Sequence, residues 1–219
     1  MTEARQTEDS TDWSDLSNLT LLDEIRIGIW SHGIGEHIVV PLGRPATVQD
    51  LHLTKLKAEI VDGQLIVIGP TVFGSAEAAW KIRESLHRHQ KTVGGGYAYG
   101  SKLAFVDLPN RLSFCPDVSW YVEDPKVSYF PAGAPVFAVE IRDPPEYGDE
   151  AERRMAAKRA DYFAAGTQVV WDVDVLREGW VHAYHTGDPE NPIVFSRGDV
   201  ADVEPAVPGW RFAVDELFR

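Results

Sequence analysis

The sequence predicts an α/β domain, and three observations carry that prediction. Residues 114–174 read as two strands, a helix that stops at Gly166, and a further strand. Two more helical stretches and a strand pair around an Asp62-Gly63 turn come before this unit. The chain of 219 residues, 44% of them hydrophobic, is long enough to bury one sizeable core.

Local signals place the elements in the first half of the chain. Residues 1–18 are polar and rich in acids, which predicts a disordered N-terminus, and residues 19–46 read as an N-terminal extension. A domain is expected over residues 47–219. Its first elements are a short helix at 47–57, a hairpin at 59–68 and a long helix at 74–91.

The second half of the chain is richer in predicted strands. In order, we expect strands at 97–107, 112–121 and 135–142, a helix at 150–165, a hairpin of 171–176 and 179–185, and a tail of short elements at 195–219.

Glu140 is an unusual residue for the apolar strand in which it lies. Alternate residues of a strand share a face, so Glu140 points the same way as Ala138 and Arg142. An ionised carboxylate is costly to bury unless it is paired or bound to a metal. Two interpretations therefore stay open: an ion pair with Arg142 or another base, and a functional site.

The helix at 150–165 favours a functional site. Its packing stripe, read from i, i+3 and i+4 steps, consists of Ala151, Met155, Lys158, Tyr162 and Ala165. A lysine on a packing face either extends to the edge or meets an acid. Asp117 and Glu140 lie on the strands that this helix is expected to cover. Two carboxylates and a lysine suit Mg²⁺, with the lysine serving as a charge or a base.

Short motifs in a fixed order resemble a known family. Pro116-Asp117, followed by Glu140-Ile141-Arg142, is similar to the Pro-Asp…(Asp/Glu)-x-Lys pattern of nucleases with the restriction-endonuclease-like fold. The closer resemblance is to the Uma-two family of bacterial proteins with that fold, and it covers roughly residues 45–219. The further matching phrases are Ala58-Glu59-Ile60-Val61-Asp62-Gly63-Gln64-Leu65, Asp143-Pro144 after the second acid, Lys158…Tyr162…Gly166, Val170-Trp171-Asp172-Val173-Asp174, and Val207-Pro208-Gly209…Leu217-Phe218.

This resemblance implies a fold, an activity and a set of site residues. The fold is an α+β domain with a mixed central sheet flanked by helices, and the activity is endonucleolytic hydrolysis of DNA with Mg²⁺ or Mn²⁺. Asp117 and Glu140 would hold the metal, and Lys158 would complete the catalytic set. Glu59 would be an additional outer acid. Arg142 stands where many of these nucleases carry lysine, and it stays protonated, so it can bind phosphate but cannot act as a base.

The resemblance also favours a homodimer, because nucleases that cut both strands of a duplex commonly use two symmetric sites. Apolar residues in the terminal segments, namely Trp30, Trp210 and Phe218, offer surface for such a contact. Two positions depart from the family pattern. The His-Gln of the first long helix is replaced by Ala76-Glu77, and the serine after the second acid is replaced by Asp143.

Composition limits the range of functions. The formal charge of −13 argues against a simple phosphate-binding surface, because nucleic-acid affinity comes largely from Lys and Arg. A non-catalytic module of the same fold, with a binding or regulatory role, therefore stays open as an alternative.

No run approaches the ~20 apolar residues of a membrane span. The polar start and the single cysteine, Cys115, lead us to expect a cytoplasmic protein.

Overall fold

The structure is a computed structural model that describes residues 37–54, 56–124 and 129–218. The predicted disordered N-terminus at 1–18 lies outside the described residues, and so does the predicted extension as far as residue 36. The last ten residues of that extension, 37–46, are described, and His37–Val40 pair as a strand with Gln64–Ile68 inside the domain.

The first described elements form a small antiparallel sheet covered by a short helix. Strand β1 (His37–Val40) pairs with β3 (Gln64–Ile68), which also pairs with β2 (Ala58–Val61). Helix α1 (Val48–Thr54) packs on this sheet through Leu51. The β2–β3 hairpin turns at Asp62 and Gly63, which both have positive φ, so the predicted turn is confirmed.

The remaining elements supply the central sheet and its flanking helices. In chain order they are α2 (Phe73–Thr92), β4 (Tyr97–Gly100), β5 (Phe105–Val106), β6 (Ser113–Phe114), β7 (Val118–Tyr121), β8 (Phe137–Ile141), α3 (Asp149–Ala164), β9 (Val169–Asp174), β10 (Trp180–His185), β11 (Asp188–Ser196), β12 (Val200–Asp202), β13 (Arg211–Ala213) and a 3-10 helix (Val214–Phe218).

Six strands form a mixed central sheet in the order β11-β10-β9-β8-β7-β4. Strands β8 and β9 run parallel, and every other neighbouring pair runs antiparallel. Parallel neighbours need a crossover connection, and α3 supplies it. The predicted mixed sheet flanked by helices is therefore confirmed.

Strand β8 separates two parts of the core. Phe137, Val139 and Ile141 belong to the large cluster that α2 and the C-terminal segment share with the sheet. Ala138 belongs instead to a smaller cluster under α3, where the rings of Phe114 and Tyr162 stack with centroids 4.0 Å apart. The period-2 alternation predicted for this strand is confirmed, and it directs Glu140 towards α3.

Two of the predicted strands are shorter than expected. The stretches 97–107 and 112–121 each divide into one strand of the central sheet and one strand of the separate β5–β6 pair. Lys102 and Asp107 adopt positive φ, which ends a regular strand. Pro116 has no N–H to donate to a ladder, so the chain changes sheets there.

The tail is more structured than the sequence indicated. Strand β11 begins before the predicted tail and forms an edge of the central sheet, where its two prolines are tolerated. Trp210 is buried with its ring centroid 5.3 Å from that of Trp171, and Phe218 packs against the same cluster. Two of the three residues considered for a dimer contact are thus used inside the chain, and Trp30 lies outside the described residues. In the part of the chain that is described, no helix is long and apolar enough to cross a membrane.

Candidate active site

Asp117 and Glu140 come together because their strands are neighbours. Strands β7 and β8 pair with Val118 opposite Val139, so one residue further Asp117 lies opposite Glu140. The backbone N–H of Asp117 donates to the carbonyl of Val139 over 3.0 Å. The Asp117 carboxylate in turn accepts a 2.9 Å hydrogen bond from the backbone N–H of Ile141. The first acid is therefore anchored to the strand that carries the second.

Lys57 is the cation that faces Asp117. Its Nζ lies 2.6 Å from Asp117 Oδ1, and it comes from the segment between α1 and β2. Burial by itself would lower the pKa of Lys57, but the carboxylates of Asp117 and Glu140 outweigh it and raise that pKa. Lys57 is thus a protonated, largely buried charge.

Lys158 is the cation that faces Glu140. Its Nζ lies 2.9 Å from Glu140 Oε1 and 2.9 Å from Glu59 Oε1, so it bridges two acids. One helical turn on, the Tyr162 hydroxyl donates to Glu140 Oε1 over 2.7 Å. The predicted stripe of α3 does direct Lys158 and Tyr162 to the sheet. Burial would lower the pKa of Lys158, but Glu140 and Glu59 raise it overall, so this lysine is also protonated.

Glu59 lies behind Lys158 and is held by three donors. Besides Lys158, Arg111 donates to its Oε2 over 2.9 Å, and the backbone N–H of Cys115 donates to its Oε1 over 2.9 Å. Burial would raise the pKa of Glu59, but Lys158 and Arg111 lower it to about 2. Burial raises the pKa of Glu140, and the nearby acids add to this effect. The pKa values of the two acids that share Lys158 are therefore shifted in opposite directions.

These residues form a cluster with no net formal charge. Three acids, Asp117, Glu59 and Glu140, are balanced by Lys57, Lys158 and Arg111. Each acid has a cation within 2.9 Å, which offsets the cost of burying the carboxylates. We call these six residues the charged cluster.

The charged cluster opens into a cleft of about 350 Å³ between the small sheet and the central sheet. The cleft is mixed in charge, because its wall carries Lys57, Lys102 and Lys158 together with Asp117, Glu140, Asp143 and Glu146. Burial raises the pKa of Glu146 to about 7, and the charges of Asp117 and Glu140 contribute to this. Burial also lowers the pKa of His37, to about 4, and Lys158 acts in the same direction.

The donor set decides which metal the residues fit. Among the described residues, no three or more His, Cys, Asp or Glu side chains gather in a group that could hold a metal ion. Asp117 and Glu140 give two carboxylates on the wall of one open cleft. Mg²⁺ is commonly bound by one or two carboxylates and keeps several waters, whereas a caged or histidine-rich site would suit other metals. The pair therefore fits Mg²⁺, with Mn²⁺ as a chemically similar ion.

Arg142 pairs with acids other than the three of the charged cluster. It binds Asp172 through two hydrogen bonds of 2.8 and 2.7 Å, and it also binds Glu152 of α3. The ring of Trp180 lies 5.0 Å from its guanidinium carbon. The sequence left open an ion pair of Glu140 with Arg142 or another base. The structure shows such a pair with Lys158, and the choice of Arg142 is wrong.

Sequence reasoning missed Lys57 and Arg111. Lys57 contacts an acid 60 residues away, and Arg111 contacts Glu59 52 residues away. Neither pairing leaves a local pattern, although the position of Lys57 two residues before Glu59 was an available signal.

Asp143, one of the departures from the family pattern, accepts hydrogen bonds from Thr71 Oγ1 and from the backbone N–H of Val72. It ties the segment before α2 to the end of β8.

Fold and site together define a restriction-endonuclease-like α+β domain. A crystal structure described as that of "a putative nuclease belonging to DUF820" from Anabaena variabilis ATCC 29413 is similar in fold, with a TM-score of 0.64 and 18% sequence identity. The similarity covers 80% of this chain and 98% of that one. At this identity it establishes the fold alone.

The family follows from the sequence itself. The chain belongs to the Uma2 family, because the model of that family, described as "Putative restriction endonuclease", matches residues 46–215. The resemblance noted from the short motifs is thereby confirmed. No curated protein matches the chain.

Proposed function

We propose that the protein is an endonuclease that hydrolyses DNA phosphodiester bonds with Mg²⁺ or Mn²⁺. The observation that carries this proposal is the pairing of Asp117 and Glu140 on neighbouring strands, each beside a largely buried lysine, on the wall of an open cleft. Asp117 and Glu140 would hold the metal. A bound divalent cation would supply an activated water and would neutralise charge on the phosphate.

The two lysines act as charges in this proposal. Both have a raised pKa, so neither gives up a proton near neutral pH and neither is suited to be a general base. Fixed cations beside a reacting phosphate stabilise the negative charge that develops on it. Lys57 and Lys158 would therefore position the phosphate and stabilise the transition state.

Glu59 and Arg111 are positioning residues. They do not need to touch the substrate, because Glu59 holds Lys158 and Arg111 holds Glu59. The guanidinium of Arg111 also packs over the ring of Phe114, with its carbon 4.5 Å from the centroid. This arrangement fixes the direction in which Lys158 enters the cleft.

Charge balance favours joint binding of metal and DNA. The charged cluster is neutral, so a divalent cation by itself adds two positive charges to a largely buried site. A phosphodiester anion and the charge that develops during hydrolysis offset them. The mixed wall of the cleft offers DNA no excess of positive charge, so we expect DNA to bind weakly unless a divalent cation is present.

The test replaces the two acids without changing their shape. We expect Asp117→Asn and Glu140→Gln to reduce cleavage of plasmid, linear duplex and single-stranded DNA by at least about 100-fold each, the loss typical for one removed charge-stabilising group. Wild type should also melt at a higher temperature with Mg²⁺ or Mn²⁺ than with EDTA, and the double variant should lose that increase. Glu150→Gln is the matched control, because Glu150 is an exposed acid on α3 outside the cleft.

Two results would contradict the proposal. One is an equal metal-dependent rise in melting temperature for wild type and the double variant. The other is wild type that cuts none of the three substrates with either metal. In that case the alternative of a non-catalytic module with a binding or regulatory role would take precedence.

A further inference from the structure

A second cavity continues from the cleft along helix α2. Its volume is about 260 Å³, and it shares Thr71, Ser101, Asp117 and Ile141 with the cleft. Its other wall carries Trp80 and Arg83 of α2. The two cavities therefore meet at the first acid of the charged cluster.

Trp80 and Arg83 present an indole and a guanidinium on the same side of α2. They are three residues apart, so they are neighbours on the helix surface. Trp80 is 60% exposed, and the side chain of Arg83 is 40% exposed. Arg83 Nη1 lies 3.2 Å from Glu84 Oε1, and an ion pair this exposed is weak enough for a phosphate to compete with it. The residues of α2 that are buried against the sheet are others, such as Ile82 and Leu86. Neither Trp80 nor Arg83 is thus a core residue.

Gly100 allows Arg83 to lie close to strand β4. A methyl group at Gly100 would come within 3.0 Å of Arg83 Cδ and 3.5 Å of its Nε. The side chain of Arg83 therefore runs directly over the end of β4, beside the strand that Asp117 precedes. A glycine at this position leaves room for the arginine.

An exposed tryptophan is by itself ordinary on a protein surface. What distinguishes Trp80 is its place on the wall of a cavity that ends at Asp117, next to a cation. An aromatic face beside a positive charge is the arrangement with which proteins hold single-stranded nucleic acids, because the ring stacks on a base and the charge meets the backbone. A paired base inside a duplex has no free face to offer.

We propose that Trp80 and Arg83 form a subsite for one unpaired nucleotide of a DNA strand, next to the phosphate that is cut. The indole stacks on the base, and the guanidinium binds the adjoining phosphate. This inference rests on the proposed nuclease function and deepens it, because it names the substrate class. The protein should favour single-stranded or frayed DNA over a closed duplex, and it should show little base preference, since every base has a face that can stack.

Binding of an oligo(dT) of about 12 nucleotides tests the subsite, compared with the duplex of the same length. Fluorescence anisotropy with the full chain, and with Ca²⁺ in place of Mg²⁺, gives the dissociation constants. Trp80→Ala should weaken binding of the single strand between about 5-fold and 150-fold, the range for one lost stacking contact, and should change duplex binding less. Trp80→Phe should restore most of the affinity.

Two further variants sharpen the comparison. Phe73→Ala is the matched control, because Phe73 is an aromatic residue of α2 that is 81% exposed and does not line the cavity. It should bind like wild type. Gly100→Ala, which requires Arg83 Cδ to move by a few tenths of an ångström, should weaken single-strand binding less than Trp80→Ala does, because the indole remains. Circular dichroism of each variant checks that the fold is kept.

The outcomes separate this inference from the proposed function. If wild type cuts DNA but Trp80→Ala binds the single strand as tightly as wild type, the subsite is wrong and the nuclease function stands. If Phe73→Ala loses as much affinity as Trp80→Ala, the subsite is also wrong. If binding depends on Trp80 but no DNA is cut with Mg²⁺ or Mn²⁺, the subsite stands and the nuclease function fails.

Discussion

Lys158 binds two buried carboxylates, and this pairing determines what its replacement will do. The side chain of Glu59 is about 6% exposed, and that of Glu140, which lines the cleft, is about 15% exposed, so both carboxylates are largely buried and lose a close cation when the lysine is removed. Lys57 has a comparable place beside Asp117. At the scale of single residues, the cations of the site therefore stabilise the fold, and in the proposed function they would also act on the phosphate.

We predict that Lys158→Met destabilises the protein as well as reducing cleavage. The free energy of unfolding, measured with urea in EDTA, should fall by about 3 kcal/mol, because removal of one partner leaves buried charge unpaired. Adding Glu140→Gln to Lys158→Met should recover part of that stability, since Glu140 loses its paired cation whereas Glu59 keeps Arg111 at 2.9 Å. It should not recover cleavage. Lys57→Met should behave like Lys158→Met.

The control for this prediction is Arg142→Met. Arg142 also neutralises a buried acid, Asp172, so its loss should lower stability by a comparable amount. Cleavage per folded molecule should be retained, because its partners lie outside the charged cluster. If Arg142→Met is inactive while Lys158→Met cuts at the wild-type rate, the catalytic role belongs to Arg142.

At the scale of elements, the loop between β8 and α3 carries Glu146 into the cleft. Its carboxylate accepts a 2.7 Å hydrogen bond from the backbone N–H of Asp143, and His37 Nε2 lies 3.9 Å from its other oxygen. Burial raises the pKa of Glu146 to about 7, with Asp117 and Glu140 as further causes. The loop is thus held in place by a side chain that is partly protonated near neutral pH.

A pH dependence of stability follows. A group whose pKa is raised by folding contributes stability below its unfolded pKa of about 4.5, and this contribution is lost as pH rises through about 7. In EDTA, the unfolding free energy of wild type should therefore fall between pH 4.5 and pH 7 relative to that of Glu146→Gln, by up to about 3 kcal/mol. Parallel curves for the two proteins, measured by urea unfolding at several pH values, would show that the pKa of Glu146 is not raised.

At the scale of the whole molecule, the formal charge of −13 has to be reconciled with the proposed DNA substrate. The structure gathers basic side chains at the cleft and in the adjoining cavity, where Lys57, Lys102, Lys158 and Arg83 all lie. The walls of these two cavities carry an equal number of acids, so the described residues form no strongly basic groove there. Divalent cations, rather than surface lysines, are expected to set its affinity for DNA.

A homodimer remains our prediction for the assembled protein. Its basis is the symmetric cutting of two strands, because Trp210 is buried and Phe218 is partly buried against the same core cluster. Light scattering at micromolar concentration should give twice the 24.4 kDa of one chain. A mass of one chain, with or without DNA, would contradict it. The same measurement with an oligo(dT) distinguishes a dimer that forms only on the substrate.

The sequence by itself determined those features that depend on local geometry. Periodicity of two in β8 fixed the side of the sheet on which Glu140 lies, and i, i+4 spacing in α3 directed Lys158 and Tyr162 to the same place. The Asp62-Gly63 turn was predictable because few other residue pairs accept positive φ at both positions. The order of these motifs was sufficient to identify the family.

Only the tertiary structure decided which charges meet. Lys57 reaches Asp117 across 60 residues of sequence, Arg111 reaches Glu59 across 52, and α2 brings Trp80 to a cavity that ends at Asp117. Such pairings depend on how the two sheets pack together, which no local pattern records. The choice of Lys158 over Arg142 as the partner of Glu140 has the same origin. The sequence placed both cations on the side of the sheet where Glu140 lies. Because α3 packs across β8 and β9, Lys158 pairs with Glu140, and Arg142 pairs with Asp172.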